Sequence, residues 1–154
     1  MKKFVSAFLA GLLTAGCLSG CANTKTAEPS NKVVLGGNGP LTGNYATYGI
    51  SERNGAMLAA LEINAAGGVN GLQLEICFED NEADPTKALS SYAILMDAGM
   101  NVSLGGTTSG CTVAVSEEAR KDGILMLTPS GSQKDCTKYD NCFRVCYMDP
   151  DLGR

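Results

Sequence analysis

Hydrophobic and polar positions in residues 33–147 follow two patterns that alternate along the chain and predict strands and helices in turn. Short apolar runs are typical of strands, whereas apolar residues spaced three and four apart are typical of helices. The runs predict strands at residues 33–38, 72–79, 101–105, 124–127 and 142–147. Helical spacing and helix-ending glycines predict helices at residues 48–66, 85–99 and 110–122. This repeated order predicts an α/β fold built on a doubly wound parallel sheet.

Local signals add detail to several of these elements. Apolar residues recur at helical spacing in the first helix, at Met57, Leu58, Leu61 and Ala65. Asp84 and Pro85 form an N-cap followed by the residue favoured at the first helical position, and Ser109 is predicted to cap the third helix. Residues 72–79 alternate strictly between apolar and polar side chains, which favours an edge strand with one covered face. Residues 124–127 form a continuous apolar run and are predicted to be buried.

The N-terminal residues resemble an export signal. Lys2 and Lys3 precede a short apolar segment at residues 4–13. The next motif, Leu18-Ser19-Gly20-Cys21, resembles the bacterial lipobox, whose cysteine receives a diacylglyceryl group. Cleavage before Cys17 is the alternative, but the triplet in front of it lacks the usual Leu. A plain secretory signal and a membrane helix are further alternatives, although spanning a bilayer takes about 20 apolar residues.

These features predict three segments. Residues 1–20 form a lipoprotein signal peptide, residues 21–32 a flexible tether without apolar periodicity, and residues 33–154 a ligand-binding lobe. The mature chain is therefore expected outside the cytoplasm, either in the periplasm or on the outer face of the cell. A lipid on Cys21 is expected to anchor it to the membrane.

Composition argues against several classes of function. The net charge of the 154 residues is −4, so no basic surface is available to bind nucleic acid. The absence of His removes the commonest general base and metal ligand. We therefore expect no catalytic residue, no cofactor and no metal site. A hydrophobic content of 44% is enough for one core.

Candidate ligand contacts lie in the loops that follow the predicted strands. In open α/β sheets, ligands bind at the carboxyl ends of the strands, where the strand order reverses. Thr108 and Ser109 place hydroxyls at a helix N-terminus, where free N–H groups favour a carboxylate. Residues 128–132 offer hydroxyls and carbonyls that accept from an ammonium group. The alternatives are a capping role for Ser109 and ordinary turn roles for residues 128–132.

Several stretches resemble the leucine/isoleucine/valine-type periplasmic binding proteins, the solute receptors of amino-acid ABC transporters. They are Gly39-Pro40-Leu41-Thr42-Gly43, Tyr48-Gly49, residues 62–71, Phe143-Arg144 and Asp149-Pro150. The resemblance extends from Lys32 to Gly153 and implies the first lobe of a type I periplasmic-binding-protein fold. It also implies a substrate-binding lipoprotein that captures branched-chain amino acids or similar small zwitterions and delivers them to a membrane permease.

The resemblance also implies roles for individual residues. The candidate ligand-binding residues are Tyr48, Thr108, Ser109, Ser130, Gly131 and Ser132. Ser109 is implied to bind the α-carboxylate of the amino acid. Ser130 and Ser132 are implied to bind the ammonium and carboxylate groups, and Tyr48 is implied to line the pocket.

The sequence departs from the family pattern in three places. Ser130-Gly131-Ser132 stands where Ala-Ala-Thr is frequent, which makes the expected pocket more polar. Leu152-Gly153 replaces the usual Gln-Gly. Because the family has two lobes, a chain that ends at Arg154 is expected to hold the first lobe with the second absent. An extracellular ligand-sensing domain of a receptor and a non-functional fragment are the alternative interpretations, and enzymatic activity is not expected.

The remaining cysteines raise the question of disulfide bonding. They are Cys77, Cys111, Cys136, Cys142 and Cys146. Cys136 and Cys142 flank a short polar loop, so a disulfide between them is expected in an oxidising compartment. Pairing of Cys142 with Cys146 is disfavoured because four strand residues span about 13 Å, beyond a disulfide's Cα separation of about 7 Å. A thiolate metal site lacks a fourth ligand at standard spacing, and Cys77 and Cys111 are expected to be small apolar fillers.

The lipobox-like motif leads to a prediction about processing. Cys21 is expected to become the N-terminal residue and to carry a diacylglyceryl group. Mass spectrometry of the membrane fraction should show this modified N-terminus, and Cys21→Ser should leave the protein unprocessed or release it. An unmodified Cys21, or cleavage before Cys17, would contradict the assignment.

Overall fold

The structure, a computed structural model, describes residues 31–153, and the expected signal peptide, Cys21 and most of the tether lie outside this range. Its five described strands form one parallel sheet in the order β2-β1-β3-β4-β5. They are β1 (Lys32–Gly39), β2 (Gln73–Asp80), β3 (Val102–Ser103), β4 (Leu125–Thr128) and β5 (Cys142–Arg144). The helices are α1 (Ala46–Ala65), α2 (Pro85–Asp97) and α3 (Ser109–Asp122), with short 3-10 turns at Lys134–Thr137 and Asp149–Asp151. The predicted α/β fold with a doubly wound parallel sheet is confirmed.

The order of the strands reverses at β1. From β1 the chain first moves outward to β2 at the edge of the sheet, and then returns across β1 to form β3 on the other side. Because parallel crossovers are right-handed, this reversal places α1 on one face and both α2 and α3 on the other. The loops after β1 and β3 therefore diverge above the sheet, which creates the crevice where open α/β sheets bind ligands.

The main hydrophobic core lies between the sheet and the helix pair formed by α2 and α3. Its buried members are Ala88, Tyr92, Leu95, Met100, Cys111, Val115, Ala119, Met126 and Cys142. The predicted filler role of Cys111 is confirmed, since that side chain is fully buried in this cluster. Asp84 caps α2 by accepting hydrogen bonds from the backbone N–H groups of Thr86 and Lys87, as its position before Pro85 predicts.

The face of the sheet that carries α1 is covered less completely than the sequence predicts. Of the residues in α1, Gly49 and Ala60 are buried, whereas the apolar side chains that predicted the helix, such as Leu58 and Leu61, are largely exposed. In β4 the burial alternates, so Met126 faces the core and Leu127 faces outward beside Phe143 of β5. The prediction of a fully buried fourth strand is therefore wrong, because no described helix covers that end of this face.

Some predicted boundaries also change. β3 and β5 are shorter than expected, so Cys146 lies beyond the last strand. Ser109 is the first residue of α3 rather than its cap, because Thr108 occupies the cap position with an extended backbone (ψ 149°). The predicted end of this helix at Gly123 is correct, and Gly123 adopts the left-handed conformation (φ 69°) that ends helices. Among residues 31–153, no helix has the length and apolar character needed to cross a membrane.

A buried asparagine joins the carboxyl ends of three strands. Asn81, fully buried after β2, donates through Nδ2 to Asn38 Oδ1 at 2.9 Å and to the Gly106 carbonyl at 3.0 Å. Its backbone N–H donates to the Gly39 carbonyl, and its Oδ1 accepts from the Ala83 N–H. These bonds satisfy polar groups that water cannot reach. They also fix the loops after β1, β2 and β3 relative to one another.

This network leads to a prediction about stability. Asn81→Ala should lower the free energy of unfolding by about 2–4 kcal/mol, because it leaves several buried polar groups without partners. Asn101→Ala is the matched control. The exposed Asn101 accepts one hydrogen bond, from the Val34 N–H, so its loss should cost about 1 kcal/mol. Chemical denaturation of both variants measures the difference, and equal losses would contradict a special role for Asn81.

Candidate functional site

A cavity of about 260 Å³ lies at the carboxyl ends of the strands, above the point where the strand order reverses. Its lining residues are Tyr45, Tyr48, Thr107, Thr108, Ser109 and Ser130. The structure thus brings together four of the predicted site residues, from the start of α1 and the loops after β3 and β4. Another cleft, of about 270 Å³, lies between α1 and β2, but its lining is mainly apolar and far from those loops.

The N-terminus of α3 contributes hydrogen-bond donors to this cavity. The first turn of a helix has N–H groups without partners inside the helix, and they favour negative charge. Here the cap residue, Thr108, makes no side-chain hydrogen bond to them, and the first turn carries no acidic side chain. The hydroxyl of Ser109 lies beside them, where it accepts from the Gln133 N–H at 3.4 Å and contacts the Cys136 thiol. The arrangement suits a carboxylate group.

The tyrosines give the cavity an aromatic wall on its α1 side. Tyr45 is 54% exposed and Tyr48 is 66% exposed, so both rings are free to be covered by a ligand. Aromatic rings supply a large contact area for an apolar side chain. The cavity therefore combines donors for a carboxylate at one end with an apolar surface at the other.

Threonine hydroxyls connect the two hydroxyl-bearing loops beneath the cavity. Gly106 N–H donates to Thr112 Oγ1 at 3.3 Å, and Gly131 N–H donates to Thr128 Oγ1 at 3.0 Å. Thr112 and Thr128 are both fully buried, with their hydroxyl oxygens 3.5 Å apart. This connection fixes the position of the loop after β3 relative to the loop after β4.

Gly131 and Ser132 lie beside the cavity and do not form its wall. Gly131 is buried, and a Cβ added there would come within 3.0 Å of Cys136 Sγ. The Ser132 carbonyl accepts from the Asp149 N–H at 3.1 Å and from Arg144 Nη1 at 3.0 Å. In this structure both residues therefore shape the loop that carries Ser130.

Sequence reasoning missed the structural role of Arg144. At the end of β5, its Nη1 donates to the carbonyls of Gly131, Ser132 and Gln133, and its Nη2 donates to Thr137 Oγ1 at 2.6 Å. A guanidinium group has five donors in a fixed fork, which lets it satisfy several carbonyls at once. The only signal was the Phe143-Arg144 pair, which carried the family resemblance without indicating these contacts.

Glu52 and Thr107 were also missed. Thr107 is 3% exposed and adopts a left-handed backbone (φ 61°), which is uncommon for a residue with a branched Cβ. Its hydroxyl donates to Glu52 Oε2 at 2.6 Å, and its carbonyl accepts from Ser130 Oγ at 2.7 Å. Burial raises the pKa of Glu52 to about 7, against the opposing effect of the Thr107 hydrogen bond. Nothing in the sequence pattern marks Glu52, because it lies within a helix among polar residues.

The expected disulfide between Cys136 and Cys142 is not formed, and the described cysteines are all free thiols. Cys136 Sγ contacts the carbonyl of Ser109, whereas Cys142 Sγ contacts the carbonyl of Ser116. These carbonyls are seven residues apart on α3, or about 10 Å along the axis, so the sulfur atoms pack against different turns. Burial raises the pKa of Cys142 to about 11, which keeps the thiol protonated.

Comparison with known proteins identifies the family. The family model described as "Periplasmic binding protein" matches residues 32–153. The chain belongs to this family. The match covers the whole sheet and the loops that form the cavity, in agreement with the resemblance seen in the sequence.

Individual relatives bind amino acids. The leucine-, isoleucine-, valine-, threonine- and alanine-binding protein of Pseudomonas aeruginosa is 34% identical over 147 residues, which are 94% of this chain and 39% of the relative. The Leu/Ile/Val-binding protein of Escherichia coli K12 is 32% identical over 144 residues, or 92% of this chain and 38% of the relative. The chain thus spans less than two fifths of the length of these family members.

A solved structure in the family supports the same fold. The branched-chain amino acid transporter substrate binding protein LivJ of Streptococcus pneumoniae, solved in complex with isoleucine, is 33% identical with a TM-score of 0.71. The alignment covers 77% of this chain and 34% of that protein. The type I periplasmic-binding-protein fold is therefore shown for this chain, which covers the extent of one lobe.

The contacts of Arg144 lead to a prediction about the loop that carries Ser130. Arg144→Ala should release the carbonyls of residues 131–133 and lower the free energy of unfolding by about 2–3 kcal/mol. Arg144→Lys should recover only part of this loss, because an ammonium group cannot reproduce the planar fork. Hydrogen exchange at residues 130–137, together with chemical denaturation, measures both effects. Full recovery by Lys would show that charge alone, and not the fork geometry, fixes the loop.

Proposed function

We propose that this chain forms one lobe of a substrate-binding protein that captures an amino acid for an ABC transporter. The observation that carries the proposal is the uncapped N-terminus of α3 opening into a cavity lined by hydroxyls and two exposed tyrosines. The relatives support the ligand class, since the proteins from P. aeruginosa and E. coli are named for the branched-chain and other amino acids that they bind.

Each end of an amino acid has a complementary group in the cavity. The free N–H groups of α3 and the Ser109 hydroxyl accommodate the α-carboxylate, with Thr108 beside them. Ser130 donates its proton to the Thr107 carbonyl, so its oxygen lone pairs face the ammonium group as acceptors. The side chain of the ligand lies against Tyr45 and Tyr48. The protein performs no chemistry on the ligand, and its task is binding and release.

Transport requires more than this cavity supplies. In the proposed mechanism a second lobe closes over the bound amino acid, and the membrane permease recognises the closed form. The size of the relatives supports this, because the chain spans 39% and 38% of the two curated proteins. A lipid on Cys21 and the tether at residues 21–32 would keep the lobe near the permease on the outer side of the membrane.

The exposure of the cavity predicts weak binding by this chain. A ligand in an open cleft remains partly hydrated, so each charge-assisted bond contributes less than the roughly 1.5–3 kcal/mol available when it is enclosed. We expect dissociation constants near 1 mM for leucine, isoleucine and valine, a free energy of about −4 kcal/mol. Leucinamide, which lacks the carboxylate, should not bind detectably. NMR titration of the purified chain measures both.

A pair of serine variants tests the assigned site. Ser109→Ala should weaken leucine binding about threefold to tenfold through loss of a hydrogen bond to a charged group. Ser90→Ala is the matched control, because Ser90 is an exposed residue of α2 whose hydroxyl bonds within its own helix. Equal affinity for leucine and leucinamide, or no effect of Ser109→Ala, would contradict the proposed site.

A further inference from the structure

The loop at the N-terminus of α3 contains a buried residue with a strained backbone, Thr107. Thr107 combines a positive φ of 61° with 3% exposure, and such a backbone conformation persists only where the surroundings enforce it. Gly39 of β1 packs against it so closely that an added Cβ would collide with Thr107 Oγ1. The hydroxyl of Thr107 has two acceptors within reach, and it lies much closer to Glu52 Oε2 on α1, at 2.6 Å, than to the Asn38 carbonyl, at 3.5 Å.

The carboxyl group of Glu52 is only half satisfied. Oε2 accepts from Thr107 at 2.6 Å, whereas Oε1 is buried and has no hydrogen-bond partner among the described residues. A buried carboxylate with one unsatisfied oxygen is destabilised relative to the neutral acid. This explains why the pKa of Glu52 is raised to about 7, in a range where a small change in its surroundings alters its charge.

The charged and titratable groups on the surrounding elements leave Glu52 without an ionic partner in the part of the chain described. They are Arg53 and Glu62 on α1, Tyr45 and Tyr48 at its start, Lys32 on β1, and Glu75, Cys77, Glu79 and Asp80 on β2. Asp80 accepts from the Leu41 N–H and the Thr42 hydroxyl. Arg53 donates to Asn54. Burial and the Thr107 hydroxyl are thus the causes that set the pKa of Glu52.

We propose that Glu52 is a positioning residue that holds residues 107–109 in the ligand-binding conformation through Thr107, and that it takes up a proton when a ligand carboxylate binds there. The inference rests on the proposed function, because it assigns the carboxylate to the N-terminus of α3. It extends that function by adding pH as a variable that controls affinity.

The sign of the coupling follows from electrostatics. Ser109 lies two residues beyond Thr107, so a carboxylate at its N–H is within about 8–10 Å of the Glu52 carboxyl group. Two negative charges at this separation in a partly enclosed site repel each other enough to weaken binding about threefold to tenfold. Binding is therefore tighter when Glu52 is protonated, and by reciprocity the bound ligand raises the pKa of Glu52 further.

The experiment measures leucine affinity of the purified chain by NMR titration at pH 6 and pH 8. Because a pKa near 7 leaves Glu52 incompletely protonated at pH 6 and incompletely ionised at pH 8, wild type should bind about twofold to fivefold more tightly at pH 6. Glu52→Gln keeps an acceptor for Thr107 but cannot ionise, so its affinity should be independent of pH and match that of wild type at pH 6. Glu52→Ala should also be independent of pH but should bind about fivefold more weakly than Glu52→Gln, because the loop loses the hydrogen-bond acceptor for Thr107. The control Glu62→Gln, an exposed residue of the same helix, should retain the wild-type profile.

Measurements without ligand separate this inference from the proposed function. Because the pKa of Glu52 is higher in the folded than in the unfolded chain, its contribution to stability is complete below about pH 4.5 and is lost as pH rises to about 7. Between pH 5 and pH 8 the melting temperature of wild type should therefore fall relative to that of Glu52→Gln. Amide exchange at residues 107–109 should be faster in Glu52→Ala than in wild type and unchanged in Glu52→Gln.

Each outcome has a distinct meaning. A wild-type pH profile in Glu52→Gln would overturn the proton coupling, and unchanged exchange and affinity in Glu52→Ala would overturn the positioning role. If no amino acid binds at any pH, the proposed function and the proton coupling both fail. The exchange data would then still decide whether Glu52 holds the loop.

Discussion

The buried side-chain amide of Asn81 is the interaction on which the geometry of the binding edge depends. Strands of a parallel sheet end in loops whose backbone groups have lost the ladder of hydrogen bonds and must find other partners. Asn81 supplies a donor and an acceptor at the place where three such loops meet, and it bonds Asn38, Gly106 and Ala83. With the ends of β1, β2 and β3 fixed, the left-handed turn at Thr107 and the start of α3 are placed as a consequence.

The order of elements could be predicted from the sequence because it depends on local patterns. The N-cap at Asp84 and the helix end at Gly123 act within a few residues, and both lie where predicted. β2 lies at the edge of the sheet, as its alternating side chains predict, but α1 contacts one of its faces and α2 contacts the other. Its burial does not alternate, so the prediction of a single covered face is wrong. The burial of individual side chains could be predicted less accurately than the order of elements. Leu58, Leu61 and Leu127 have the apolar character of core residues, but their environment depends on which elements lie across the sheet.

In the candidate site, too, features set by local sequence could be predicted and features set by distant contacts could not. Ser109 and Ser130 could be chosen because a hydroxyl after a strand lies, by topology, at the ligand-binding edge. Arg144 and Glu52 could not be chosen from the sequence, because each acts through contacts with residues that are distant along the chain. Arg144 reaches the loop carbonyls only after β5 pairs with β4, and Glu52 reaches Thr107 only after α1 packs on the sheet. The expected disulfide failed for a similar reason, since Cys136 and Cys142 are close in sequence but pack against different turns of α3.

The structure separates the residues that stabilise the lobe from those that form its site. The apolar cluster between α2, α3 and the sheet stabilises the fold, whereas the binding edge contains polar groups held by one another. Some of these are unfavourable on their own, including the backbone of Thr107 and the unpartnered Oε1 of Glu52. Such local costs are expected where function restricts the choice of residue. A Leu at position 52 would relieve the burial of a carboxyl group, but it would remove the acceptor that holds Thr107. In the proposed role, an acid at position 52 supplies that acceptor and, through Thr107, positions the first turn of α3.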